Sequence, residues 1–270
     1  MPRWLLTIRG RVPRGAAVLL GLIPIVLMVG LWWFLTRGAP EERAISITIL
    51  PSPAEVFSAD TLKLLFKDRE LLHHVWVSLR RVVLGYLLAA VIVLPLGVLR
   101  GSFGTAQAIF NPTATAASYI PIATLVPLTM SWFGTDETPK VVFLALAFGI
   151  YLLPMVVNAI ERVPDIYVKT GYTLGAHRLG IIFRVLIPVA LPEIWQGMRM
   201  AFAVGWTYLV LTEVVVLVDG LGYLVAQSQR RGPREHIYLV IIVITIIAWV
   251  ADLVWDYAGR WLFPYRSTQR

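Results

Sequence analysis

The chain predicts an all-α membrane protein of about six spans. Its residues are 58% hydrophobic and only 15% charged, its mean hydropathy is +0.73, and its apolar blocks of membrane length alternate with short polar links. A spanning helix needs about 20 apolar residues at 1.5 Å each to cross a hydrocarbon core of roughly 30 Å. The 270 residues therefore hold about six such helices and little else. We expect a tail at 1–14 and a single transmembrane domain over 15–270.

The expected spans are about 15–36, 75–99, 113–133, 139–160, 193–218 and 237–258. Span one follows Arg3, Arg9, Arg11 and Arg14. Its apolar run of about 20 residues exceeds the roughly 7–15 of a signal-peptide core, so it is read as an uncleaved span. Those arginines place the N-terminus inside. With both termini inside, the inner segments also hold more Lys and Arg than the outer ones, twelve against nine.

After span one comes an outer segment containing ILPSPAEVF, in which Pro51 and Pro53 fix an extended kink. Ser52 and Ser58 are placed to cap short helices on the membrane surface. Span two opens on Arg80 and Arg81, close enough to its start to snorkel to the interface. Within it, Gly85, Pro95 and Gly97 suit close helix packing and a bend.

Spans three and four carry Pro112, Pro121, Pro127, Pro139 and Pro154, with polar atoms at membrane depth from Ser118, Tyr119, Thr124, Thr129 and Asn158. Two uses fit them equally: lining a solute route, or gluing helices through hydroxyl-to-carbonyl bonds of about 0.6 kcal/mol each. The candidate route residues are Ser118, Tyr119, Thr129, Asn158, Thr207, Tyr208 and Glu213. Glu213 is an acid inside the apolar block WTYLVLTEVVVLV, which makes it a functional candidate. Pairing with a base, tying helices or sitting at the outer mouth are its competing uses.

Between spans four and five lies a different kind of segment, about 161–192. Lys169, His177, Arg178 and Arg184 would each be costly in hydrocarbon, and the break at Gly175 would leave backbone groups unpaired there. The segment is therefore assigned to water. Pro164 and Asp165 suit a helix start, and Gly175 a left-handed stop after Leu174. In a second helix Leu179, Ile182, Phe183 and Leu186 fall at i, i+3, i+4 and i+7, one apolar stripe. Pro188 and Pro192 are expected to end it and begin span five. The result is a helix–glycine–helix hook, readable as a lever for a partner or as a loop helix lying on lipid.

Several function classes are unsupported. There are no cysteines, hence no disulfide framework or thiolate site. The histidines at 73, 74, 177 and 236 are too scattered for a metal site, so no metal ligands are assigned. No catalytic residues are assigned either: H-E-x-x-H, an intramembrane Asp pair and a nucleophile–base pair are all lacking. The net charge of +8 is dispersed along loops rather than clustered with aromatics, against a nucleic-acid partner. A proton-coupled secondary transporter would need midplane ionisable groups, and only Glu213 and Asp252 come near.

The residues resemble one family, the permease subunits of bacterial ATP-binding cassette importers, in the group handling nitrate, sulfonates, taurine and bicarbonate. The resemblance rests on Gly175 and Leu186-Ile187-Pro188 in the hook, LPSPAEVF near residue 50, SLRRVVLGYLLA at 78–89, TLVPLTMSWFG at 124–134 and DGLGYLV at 219–225. Lys169, Thr170 and Gly171 stand where the family commonly has Glu-Ala-Ala.

The resemblance implies a homodimer in the bacterial inner membrane, fed by an extracytoplasmic binding protein. Its hook, through Lys169, Thr170, Gly171, Leu174, Gly175, Ala176, His177, Arg178, Phe183, Arg184 and Pro188, would dock on an ATPase dimer. ATP and magnesium would sit on that partner, leaving no cofactor in this chain. The sequence agrees, lacking a G-x-x-x-x-G-K-[ST] phosphate loop. A permease for metals, methionine or another small cargo is the nearest rival.

Overall fold

The computed structural model describes residues 12–38, 43, 45–46, 49–216 and 218–265. Most of the tail 1–14 and the last basic residues, Arg266 and Arg270, lie outside that set. Among the described residues every regular element is helical. Five helices are long and apolar enough to cross a membrane, six if one bent pair counts as a span.

The first helix, α1 (Arg14–Thr36), is apolar on all sides and has no buried share in its most apolar stretch. Lipid or another protein surface must therefore surround it. Its end is tied down by Trp32, whose Nε1 donates to the Pro51 carbonyl at 2.8 Å. Ser52 and Ser58 both cap short helices. Ser52 forms a reciprocal capping box with Glu55 on α2 (Pro53–Val56), and Ser58 accepts from the Thr61 N–H on α3 (Ala59–Lys63). Val56, Leu65 and Leu71 then join Leu221, Leu224, Leu239 and Val240 in a second, smaller core.

The main core is built by α4 (Leu71–Ser102), α7 (Glu137–Glu161) and α10 (Ile187–Val215). Here α4 and α7 pack backbone-close. A methyl group on Gly85 would lie 2.7 Å from Leu144 Cβ, and one on Gly97 2.6 Å from Val156. Such spacing lets dispersion contacts replace the hydrophobic effect that lipid does not supply. Tyr86 sits at the centre, with Phe148, Phe202 and Trp255 at 5.1–5.7 Å between ring centroids.

Two expected spans come out differently. Span three is a broken pair, α5 (Gly104–Ser118) and, after a short turn, α6 (Leu125–Phe133), bent by 84°. Pro121 supplies no N–H and disfavours helical geometry at Ile120, so the chain turns there. Span five does not begin after a proline stop. One apolar helical run extends over Arg178–Val215, from α9 (Arg178–Ile181; α8 is described below) through a π turn at Ile182–Leu186 into α10. Pro188 falls in the first turn of α10, where a missing donor is tolerated. The intervening turn takes up the register change.

The sequence reading also lacked α11 (Leu221–Arg231), a short amphipathic helix packed on α10 and α12 (Glu235–Leu262).

Candidate functional site

The hook is formed by α8 (Asp165–Thr173) and α9. Pro164 lies just before α8 and Asp165 opens it. The helix closes by a complete Schellman motif: the Gly175 N–H donates to the Tyr172 carbonyl at 2.9 Å and the Ala176 N–H to the Gly171 carbonyl at 3.0 Å. Gly175 stands at φ +81°, where a β-branched residue is strained.

Of the residues assigned to docking, Lys169, Thr170, Leu174, His177, Arg178, Phe183, Arg184 and Pro188 are exposed, Leu174 to 82%. Ala176 is half-buried, and Gly171 is buried against Ile181. A methyl on Gly171 would meet Ile181 at 3.4 Å, ordinary contact, so an alanine there fits. The expected apolar stripe splits in two. Ile182 and Leu186 enter the core, whereas Leu179 and Phe183 face outward over an apolar recess against α4. Arg162 bridges to Glu193 at 2.6 Å, pinning the base of the hook to α10.

At the opposite end of the bundle, four elements meet on a buried ion network. Arg81 does not reach solvent as a snorkelling side chain would; it is 1% exposed. Its Nη1 donates to Glu213 Oε1 at 2.7 Å and to the Asp219 carbonyl at 2.6 Å, and its Nε to Glu137 Oε2 at 2.6 Å. Lys140 Nζ reaches Glu137 Oε1 at 3.0 Å. Glu213 also accepts from Ser78 Oγ at 2.7 Å and from the Gly222 N–H at 2.8 Å.

Two cations and two carboxylates thus balance, and every Glu213 oxygen has a donor, the condition under which burying charge is tolerable. The DGLG sequence makes this possible. A methyl on Gly220 would lie 2.2 Å from the Glu213 carboxylate and one on Gly222 2.7 Å from Glu213 Cβ, so only glycines leave room for it at the start of α11.

The other route candidates do not gather in one chamber of the chain. Ser118, Tyr119, Asn158 and Thr207 are exposed. Thr129 is buried, its hydroxyl donating to the Val126 carbonyl at 2.9 Å. Tyr208 shares a hydrogen bond with the Tyr151 hydroxyl at 2.9 Å. Sequence reasoning missed Arg81 as the partner of Glu213. The signal was present, since His74, Ser78, Arg81 and Gly85 recur at helical spacing on one buried face of α4.

Broken and continuous helices around a packed core, with a glycine-split hook between two spans, define a multi-pass membrane permease. The chain belongs to the family described as the binding-protein-dependent transport system inner membrane component, whose model matches residues 81–267.

Among its relatives, the taurine transport system permease protein TauC of Escherichia coli (strain K12) is 28% identical over 267 residues, covering 96% of this chain and 94% of the relative. The putative aliphatic sulfonates transport permease protein SsuC of Bacillus subtilis (strain 168) is 27% identical over 250 residues, 92% of this chain and 88% of that one. The fold is that of a chain in the inward-facing MetNI methionine ABC transporter, with TM-score 0.65, 22% identity, and coverage of 70% of this chain and 94% of that one.

Proposed function

We propose that two copies of this chain form the membrane route of an ATP-driven importer for a small anionic solute of the sulfonate class, in the bacterial inner membrane with both termini inside. An extracytoplasmic binding protein delivers the solute, and a separate ATPase dimer holds the ATP and magnesium. The observation that carries this reading is the hook: Leu174, exposed to 82%, stands at a Schellman-closed elbow whose following helix runs unbroken into α10. An exposed apolar tip on a rigid extension of a span is a docking knob that passes movement directly into the bundle. The named cargoes of TauC and SsuC support the sulfonate class.

The test is uptake of radiolabelled taurine and short alkanesulfonates into proteoliposomes carrying the permease, its ATPase and its binding protein. ATP-dependent accumulation is expected, and accumulation without the ATPase would overturn the reading. Gly175→Val, strained by about 1–2 kcal/mol at the elbow, should cut uptake at least tenfold or prevent co-purification of the ATPase. Undiminished uptake by this variant would dismiss the hook as a mechanical joint.

A further inference from the structure

Among the described residues the second deeply buried arginine of α4 has no carboxylate partner. Arg100 is 8% exposed, and among the described residues its sole side-chain partner is Asn111 Oδ1 on α5, 3.3 Å from Nη2; its Nε is buried without a hydrogen bond. Arg100 lies in the last turn of α4, where the helix dipole mildly favours a cation. That does not offset the desolvation of a guanidinium whose donors are only partly used.

Arg100 and Asn111 both line a half-open cavity of about 460 Å³ between α4, α5 and α7, at whose mouth Ile92 is 53% exposed. Leu88, Ile92, Leu146 and Ile150 form its apolar wall, and the Thr115 and Ser118 side chains also border it. Arg100 is the one charged side chain in this lining. A planar fork of donors in apolar surroundings suits an oxyanion that accepts several hydrogen bonds at once, and the wall suits a carbon body attached to it.

We propose that this cavity binds an amphipathic oxyanion, its sulfonate- or phosphate-like head on Arg100 and Asn111 and its short aliphatic body against the α4–α7 wall. The assignment rests on the chemistry of the cavity and does not require the import reading. Two sources offer that chemistry, a free organic sulfonate and the head of an anionic lipid.

The test is equilibrium binding of radiolabelled methane-, ethane- and butanesulfonate to the full chain, without ATPase or binding protein, in phosphatidylcholine nanodiscs. Affinity should rise with chain length, approaching fourfold per buried methylene. Arg100→Gln should lower it by at least about tenfold at every length. Leu146→Trp, which fills the apolar end and leaves the arginine in place, should flatten the chain-length dependence.

Repeating the measurement with phosphatidylglycerol in the discs separates the sources. Displacement of butanesulfonate from the wild type identifies the lipid head, and persistence identifies the free anion. Absence of binding in phosphatidylcholine, equal binding by Arg100→Gln, or affinity independent of chain length would overturn the site.

Discussion

Arg81 and Arg100 lie on the same helix, roughly 28 Å apart at 1.5 Å per residue, and both are withdrawn from solvent. Their surroundings are opposite. Arg81 meets Glu213, Glu137 and a backbone carbonyl, all within 2.7 Å, in a knot that draws α4, α7, α10 and the start of α11 together. Arg100 meets one amide oxygen at 3.3 Å and borders a cavity. A buried cation with its charge balanced holds structure in place. One left unbalanced has donors to offer a ligand.

The largest effect should come from separating the first pair. Arg81→Leu leaves Glu213 buried without its cation and should cost about 3–5 kcal/mol, read as denaturant or thermal unfolding of the purified chain in detergent. Adding Glu213→Leu should restore part of that loss. A double-mutant cycle giving no coupling between the two positions would mean that the network contributes nothing as a unit.

Arg100→Leu should behave in the opposite sense, leaving stability unchanged or raised by about 1 kcal/mol, because it removes a poorly satisfied buried charge. A loss as large as that of Arg81→Leu would erase the distinction and assign Arg100 a structural role.

A third arginine, in a partly solvated pair, sharpens the contrast. Arg43 makes paired bonds to Glu55 at 3.0 and 3.1 Å in the segment between α1 and α4. Partial burial pushes the Glu55 carboxyl up, but hydrogen bonds from Arg43 and from Ser52 outweigh it and hold the group below its ordinary value. The stabilisation from a depressed carboxylate is present above its unfolded pKa, about 4.3, and is lost as pH falls through the lower folded value. Hydrogen-exchange protection factors across 49–57, with the intrinsic pH dependence divided out, should therefore be high at pH 7 and fall below about pH 4. Glu55→Gln should remove that acid-dependent fall in protection. The effect should be the smallest of the three, since this pair is partly solvated.

Much of the architecture was legible because lipid imposes it. The apolar blocks of spans one, two, four and six reappear as α1, α4, α7 and α12, and Gly175 ends a helix in left-handed geometry as its residue type suggests. The prolines were read less well. Pro121 does break its span, whereas Pro188 is absorbed at the start of α10 because a π turn precedes it. Composition does not distinguish those outcomes, since both depend on what pairs with the freed carbonyls.

Glu213 was conspicuous as an acid among valines. Its partner lies 132 positions away along the chain, so the pairing needed the packing of α4 against α10.

The sequence by itself determined that this is a helical membrane protein with a glycine-split hook between two spans, because hydropathy, span length and backbone preference are local quantities. Only the tertiary structure decided which arginine of α4 is neutralised and which is not. Desolvation and charge balance depend on neighbours that meet in space, and Arg80, Arg81 and Arg100 are chemically identical until the helices pack.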